Sequence, residues 1–403
     1  MNPSKRAADA PRTVVLVLAA MLTALVAIVL ARVAYGLLLA PMQVDLGLSL
    51  AQAGNLGTLT ALGYLLFVLP GGVAAARWGT RNAVLGGLLI IALGFVGLAA
   101  ASNYALVAAL MLLLGVGTAG CFAPMLSLIA TWFPLRRGLM IGWMTTGIGG
   151  GMFLAGLLVP QLMRLFGAHG WRQAWGLFAL IAAAVFLLVL LGVRDPPALQ
   201  AAGKTPAAAA DKWRIYRHPR IITVGLTYGV LGAVYIVQAL FMVSFAQASG
   251  IDGAVAGALF SMAGLLSVAA GPLWGWLSDR WNRASVLLLS MALVTAAMAL
   301  PLLAQALPVF FVHFLLTGCA FQGAFTMVQT ISTDQVAPRH IPIAVSYVTL
   351  FFAGGQFLGP AAGSWLIGVG GFKAALAFAW TLLLLGLILA QRMRRFPAQP
   401  AVS

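Results

Sequence analysis

The chain of 403 residues is 62% hydrophobic and only 7% charged, with a formal net charge of +16. A soluble globular domain carries roughly 25% charged residues, so this chain cannot cover a water-facing surface, and its solvent is lipid. The charge argues against nucleic acid as a partner, because the basic residues fall between apolar segments instead of along one face.

Apolar segments long enough to cross a core about 30 Å thick need roughly 20 residues each. In chain order they run at 13–40, 50–71, 83–102, 105–132, 138–163, 172–193, 220–247, 253–276, 284–304, 307–332, 341–367 and 372–391. Each must be a helix, since lipid cannot hydrogen-bond an open strand edge. The first is too long for a signal peptide, and Arg32 interrupts it with no small-residue cleavage site following. Both cysteines, Cys121 and Cys319, lie inside apolar segments and read as buried small hydrophobes, not a disulfide framework.

Orientation follows from Lys and Arg. With both termini cytoplasmic, nineteen of the 23 basic residues lie inside, Arg164, Arg172 and Lys373 lie outside, and Arg32 lies within a segment. The excess of Arg over Lys, with abundant Ala, Gly and Leu, suggests a GC-rich bacterial genome and therefore a bacterial inner (plasma) membrane. Residues 194–219 differ from their surroundings: Arg194-Asp195-Pro196-Pro197, an alanine tract, then Lys212, Arg214, Arg217 and Arg220. They read as a flexible cytoplasmic linker with a basic helix on anionic headgroups, or as a regulatory docking site. The expected bodies are an N-terminal six-helix bundle (1–193), this linker (194–219) and a C-terminal six-helix bundle (220–403).

An offset of about 203 residues exposes an internal repeat. Gly72-Val-Ala-Ala-Ala-Arg77-Trp78 aligns with Gly275-Trp-Leu-Ser-Asp279-Arg280-Trp281, each after its half's second segment. Gly151 and Gly156 align with Gly354 and Gly359. Gly275-x-x-x-Asp279-Arg280-x-x-Arg283 resembles the loop motif that major facilitator superfamily members carry after helices 2 and 8. The resemblance implies an all-α membrane protein of twelve helices in two parallel six-helix repeats, working as a monomer. It also implies that the glycine lets two helices approach while the acid and arginines bridge helix ends. Arg77 and Arg81 belong to the first copy, where Ala76 replaces the acid, so the charge latch is expected to be stronger in the second.

A narrower resemblance covers segments 4 to 6. Trp132-Phe133-Pro134-Leu-Arg136-Arg137-Gly138-Leu-Met-Ile-Gly142, then Gly147-x-Gly149-Gly150-Gly151, then Gly170-Trp171-Arg172, resembles the bacterial monocarboxylate and oxalate–formate antiporter branch. That branch usually has an arginine four residues before the loop glycine, where this chain has Gly271, and some members have a lysine in segment 11, which is uncharged here. A carboxylate substrate must therefore be held by other groups.

Arg32 is the candidate. An unpaired cation in hydrocarbon costs about 2.5–3.5 kcal/mol on insertion scales, so it faces a cavity or partner, or snorkels to the outer interface. No Asp or Glu lies in any segment, and Asp45 is the nearest acid in sequence. Anion binding is the reading adopted. Tyr35, three positions on, is expected to share its face. At the repeat offset the pair corresponds to Tyr235 and Gln238, with Tyr228 on the same stripe. The family resemblance places segments 1, 4, 7 and 10 around a central cavity, where these groups would meet. The alternative for the tyrosines and Gln238 is ordinary interhelical hydrogen bonding. In segment 10, Gln322 and Gln329 share a face, while His313, nine residues before Gln322, points the opposite way. His313 is the one histidine well inside a segment, satisfied structurally or serving proton coupling. The glycine runs around Gly151 and at Gly354-Gly355-Gln356-x-x-Gly359-Pro360 read as mobile packing, Pro360 supplying a bend.

No Walker sequence, metal cluster or nucleophile elbow is present. The expectation is a transporter, not an enzyme, with no cofactor, moving a small organic anion by alternating access in exchange or facilitated transport. Proton symport, through His313 or a protonated substrate, is the rival coupling. An exporter of apolar or drug-like compounds is the alternative function.

Overall fold

A computed structural model of the chain describes residues 3–197 and 209–396, and no strand occurs among them. The linker core, with Lys204 and most of the alanine tract, lies outside the described residues. The helices are α1 (Pro3–Ala24), a π-helical stretch (Leu25–Val33), α2 (Tyr35–Asp45), α3 (Leu50–Trp78), α4 (Thr80–Ala100), α5 (Tyr104–Trp132), α6 (Arg137–Phe166) and α7 (Gly170–Gly192). After the linker come α8 (Ala209–Arg217), α9 (Pro219–Ala248), α10 (Gly253–Arg280), α11 (Arg283–Leu303), α12 (Leu307–Asp334) and α13 (Ile341–Met393).

Among the described residues, ten apolar helical runs are long enough to cross a membrane, two of them 56 residues long. Each long run is broken at glycine: one at Gly167, with φ +55°, the other at Gly370–Gly371, with φ +69° at Gly371. Only glycine enters that left-handed region without strain. Gly167 and Gly370 stand one repeat apart. Counted as two each, the long runs bring the apolar helices to the twelve segments of the sequence.

The chain forms two compact units. The first comprises Met1–Trp132, Trp143–Ala207 and Pro338–Ser346; the second comprises Phe133–Gly142, Ala208–Ala337 and Tyr347–Ser403. Each unit thus takes the opening turns of one glycine-rich helix, α6 or α13, from the other half of the sequence. The two exchanged pieces are one repeat apart.

Glycines set the helix spacing within each unit. A Cβ at Gly63 would fall on the Leu112 carbonyl, and one at Gly115 on the Thr60 carbonyl, so α3 and α5 touch backbone to backbone. α6 meets α1 in the same way, Gly147 against the Met21 carbonyl. In the second unit, α13 meets α9 through Gly355 on the Gly229 carbonyl and Gly359 on the Ala233 carbonyl. The repeat comparison singled out Gly354, but a Cβ there meets nothing within 4 Å, whereas Gly151 packs on Leu25 and Val29 of the π-helical stretch. Gly355→Val is therefore expected to sacrifice the α9–α13 contact, an overpacking penalty of at least about 1–3 kcal/mol. It should reduce the monodisperse fraction in gel filtration, while Gly354→Ala should elute as wild type.

Candidate functional site: an arginine in a π-helical turn and a capped helix start

In the first unit, Ala34 N donates to Val29 O at 2.8 Å, a five-residue step that closes the π-helical stretch. Such turns inside α-helices occur frequently at functional sites. Thr118 of α5 donates its hydroxyl to Ala27 O at 2.9 Å, bracing this stretch from outside the helix. Arg32 occupies the last turn, half-buried. Its Cζ lies 4.6 Å from the ring centroid of Tyr64 on α3, and that ring is only 1% exposed. A cation over a desolvated aromatic face gains about 2 kcal/mol.

Tyr35 goes elsewhere. Its hydroxyl donates to Ala53 O at 2.7 Å. Ala53 and Tyr64 stand eleven residues apart on α3, about 16 Å along the axis. The wider π turn rotates the residues that follow, so a three-residue spacing no longer keeps Arg32 and Tyr35 on one face. Asp45, the acid nearest Arg32 in sequence, accepts from Arg172 Nη2 at 3.0 Å and Trp171 Nε1 at 3.1 Å. It fastens the end of α2 to the start of α7. Sequence reasoning missed Tyr64 and Thr118; polar residues in otherwise apolar helices were the signal available.

The second unit holds the remaining polar candidates. Gln329 Nε2 donates to the Tyr228 hydroxyl at 2.7 Å, and the Tyr228 ring stacks on Phe352 at 4.3 Å. Tyr235 meets Phe321 and Phe325 edge-on at 5.8 Å and 5.2 Å. Tyr235 and Gln322 are half-buried. Gln238 is instead engaged with His313, Nε2 to Nε2 at 2.8 Å. His313 Nδ1 lies 2.7 Å from Ala297 O. A carbonyl only accepts, so Nδ1 carries the proton, and Nε2 faces the Gln238 amide, 2.8 Å from its Nε2 and 3.0 Å from its Oε1. The trio joins α9, α11 and α12 around a histidine of 0% exposure. His313→Ala is expected to lower the unfolding midpoint by several degrees, since the stranded Gln238 amide costs about 1–3 kcal/mol. Uptake with and without a pH gradient should keep its wild-type ratio. Loss of the pH response at unchanged stability would instead assign the proton path to this ring.

The loop motif is built around a helix start. Asp279 accepts from Gly138 N at 3.1 Å and Leu139 N at 2.9 Å. A carboxylate there satisfies orphan donors and meets the positive end of the α6 dipole. A Cβ at Gly275 would fall on the Gly138 carbonyl, which explains the glycine. Arg283 Nη2 donates to Asp279 at 3.2 Å, and Arg283 also pairs with Asp334. Arg137 Nη1 bonds Asp334 at 2.8 Å. Asp334 and Arg137 were not anticipated as members. Arg280 does not join them: it is exposed and lies over Trp276, 4.0 Å from the centroid.

The first copy is wired differently. Gly72 packs against Ser346 and the Pro342 carbonyl, and Arg77 is exposed. Arg81 turns to the end of α7, donating Nε to Val193 O at 2.8 Å, Nη2 to Leu190 O at 2.6 Å and its backbone N–H to Asp195 at 2.9 Å.

Residues 24–391 match the family model described as an uncharacterised MFS-type transporter, YbfB. The chain belongs to this family. Its fold follows the MFS (major facilitator superfamily) pattern: the proton:xylose symporter XylE superposes with a TM-score of 0.81, at 15% identity, covering 98% of each chain. Family and fold are those of transporters, which are not enzymes. A human protein named monocarboxylate transporter 11 is 32% identical over 216 residues, covering 52% of this chain and 44% of its own. A quinolone resistance transporter of Acinetobacter baumannii is 32% identical over 168 residues, covering 40% and 37%. In both, the match spans less than half of the relative's own length.

Proposed function

We propose that this MFS protein moves a small organic anion, a monocarboxylate, across the bacterial inner membrane by alternating access, with Arg32 holding the carboxylate. The observation that carries the reading is Arg32 itself: a half-buried guanidinium in a π-helical turn, in a chain with no acid inside any apolar segment. Its planar fork suits a carboxylate bidentately. The similarity to monocarboxylate transporter 11 points to the same substrate class. Of the second unit's candidates, Tyr235 and Gln322 are half-buried, whereas Tyr228, Gln238 and Gln329 are buried. The distribution of basic residues supports a topology with both termini cytoplasmic.

The test is uptake into proteoliposomes, screening labelled monocarboxylates and dicarboxylates with and without a pH gradient and with preloaded unlabelled substrate. Acceleration by preloaded monocarboxylate is the expected result and identifies exchange. A second reading, export of apolar or drug-like compounds, draws on the aromatic wall of Tyr228, Tyr235, Phe321, Phe325 and Phe352 and on the quinolone resistance relative. Quinolone efflux without any carboxylate flux would favour it and sink the first.

A further inference from the structure

α8 is short, basic and fastened on one side only. Ile215 is fully buried. The Tyr216 carbonyl accepts from the Tyr347 hydroxyl at 3.0 Å, and the two rings lie 4.9 Å apart. At about 100° per residue, Trp213 and Arg217 project from the face opposite Ile215, and Arg214 borders that face, about 60° from Arg217. All three are exposed, Trp213 by 60%, and Arg217 lies over the Trp213 ring at 5.4 Å. A tryptophan flanked by two guanidiniums has the chemistry of the membrane–water interface: the ring sits at headgroup depth and the cations meet lipid phosphates. Next to this face, burial first and then Arg220 and Arg214 push the His218 ring's pKa down, and its Nδ1 accepts from Arg220 N at 3.3 Å.

We propose that the outer face of α8 is a docking surface for anionic phospholipid headgroups, and that lipid bound there stabilises the second unit through the Tyr216–Tyr347 contact. Charge complementarity selects the anionic leaflet over a zwitterionic one. Tyr347 is the first residue of α13 assigned to the second unit, so the contact pins α13 where it enters that unit. The proposal does not depend on which substrate is carried.

The experiment uses the purified full-length protein in detergent, titrated with phosphatidylglycerol or phosphatidylcholine, reading bound lipid by native mass spectrometry and the unfolding midpoint by scanning fluorimetry. Phosphatidylglycerol is expected to bind and raise the midpoint, and phosphatidylcholine to do neither. Arg214→Gln and Arg217→Gln should each weaken binding about 5-fold, and the double substitution should remove the midpoint shift. Both residues are exposed, so the fold should survive; Arg214→Lys/Arg217→Lys should restore the lipid response. Tyr347→Phe should bind lipid normally yet lose the midpoint shift. The proposal is overturned if wild type shows no preference for phosphatidylglycerol, or if the double glutamine variant keeps the full response. Tighter binding of an acidic peptide than of phosphatidylglycerol at this face would also overturn it.

Discussion

Arg32→Ala is expected to lower the transport efficiency for monocarboxylates about 100-fold or more while leaving the protein folded. Two charge-assisted hydrogen bonds to a carboxylate contribute about 1.5–3 kcal/mol each, and alanine removes both. Alanine also removes the interaction with the Tyr64 ring, 4.6 Å away, about 2 kcal/mol. Folded yield and the unfolding midpoint are therefore read beside uptake, and uptake is normalised to folded protein, which separates lost transport from lost protein. Arg32→Lys keeps the charge but not the fork and should fall between, about 10-fold down. Tyr64→Phe preserves the aromatic face and should approach wild type. Carboxylate uptake undiminished in Arg32→Ala would mean that the anion is held elsewhere.

Asp279→Ala should produce the largest loss of stability among single substitutions of charged residues. The carboxyl side chain is 10% exposed and accepts from two backbone donors at the start of α6 and from Arg283. Removing it leaves those donors near-buried without their acceptor, at about 1–3 kcal/mol for the helix start, and weakens the Arg283–Asp334–Arg137 array. A total of about 2–4 kcal/mol is expected, read as a drop of several degrees in the unfolding midpoint. Asp279→Asn retains one acceptor oxygen and should show an intermediate drop. The piece Phe133–Gly142 belongs to the second unit, and Asp279 is one of its ties there. A cysteine introduced at Leu135, which is exposed, should become more reactive to a bulky maleimide in Asp279→Ala. Unchanged reactivity and an unchanged midpoint would show that the glycine packing alone holds the segment.

The missing acid of the first copy has a structural counterpart. At the repeat offset, Gly138 and Leu139 correspond to Ile341 and Pro342. Proline has no N–H, so an acid at Ala76 would find one of its two donors absent. Acid and donor are missing together, and the charge array is confined to the second unit among the described residues.

Much of this was legible from the sequence. Composition placed the chain in lipid, apolar segment lengths marked the spans, and the 203-residue offset with Gly275-x-x-x-Asp279-Arg280-x-x-Arg283 pointed to the family that residues 24–391 match. These features are local or periodic, and a bilayer enforces them helix by helix, because backbone polar groups must be satisfied within each segment. Polar partnerships were a different matter. Tyr35 bonds a carbonyl 18 residues away, Gln238 a histidine 75 away, and Asp279 an amide 141 away. No periodicity encodes such pairs, since a hydrogen bond depends on angstrom-level approach between helices that hydropathy does not specify. The π turn that separates Arg32 from Tyr35 was equally hidden, because Leu25–Val33, apolar but for Arg32, carries no pattern that tells a π turn from an α-helix. The sequence by itself singled out one cation, Arg32, within an apolar segment; only the tertiary structure decided which groups stand beside it, because side-chain partners are chosen by packing and not by pattern.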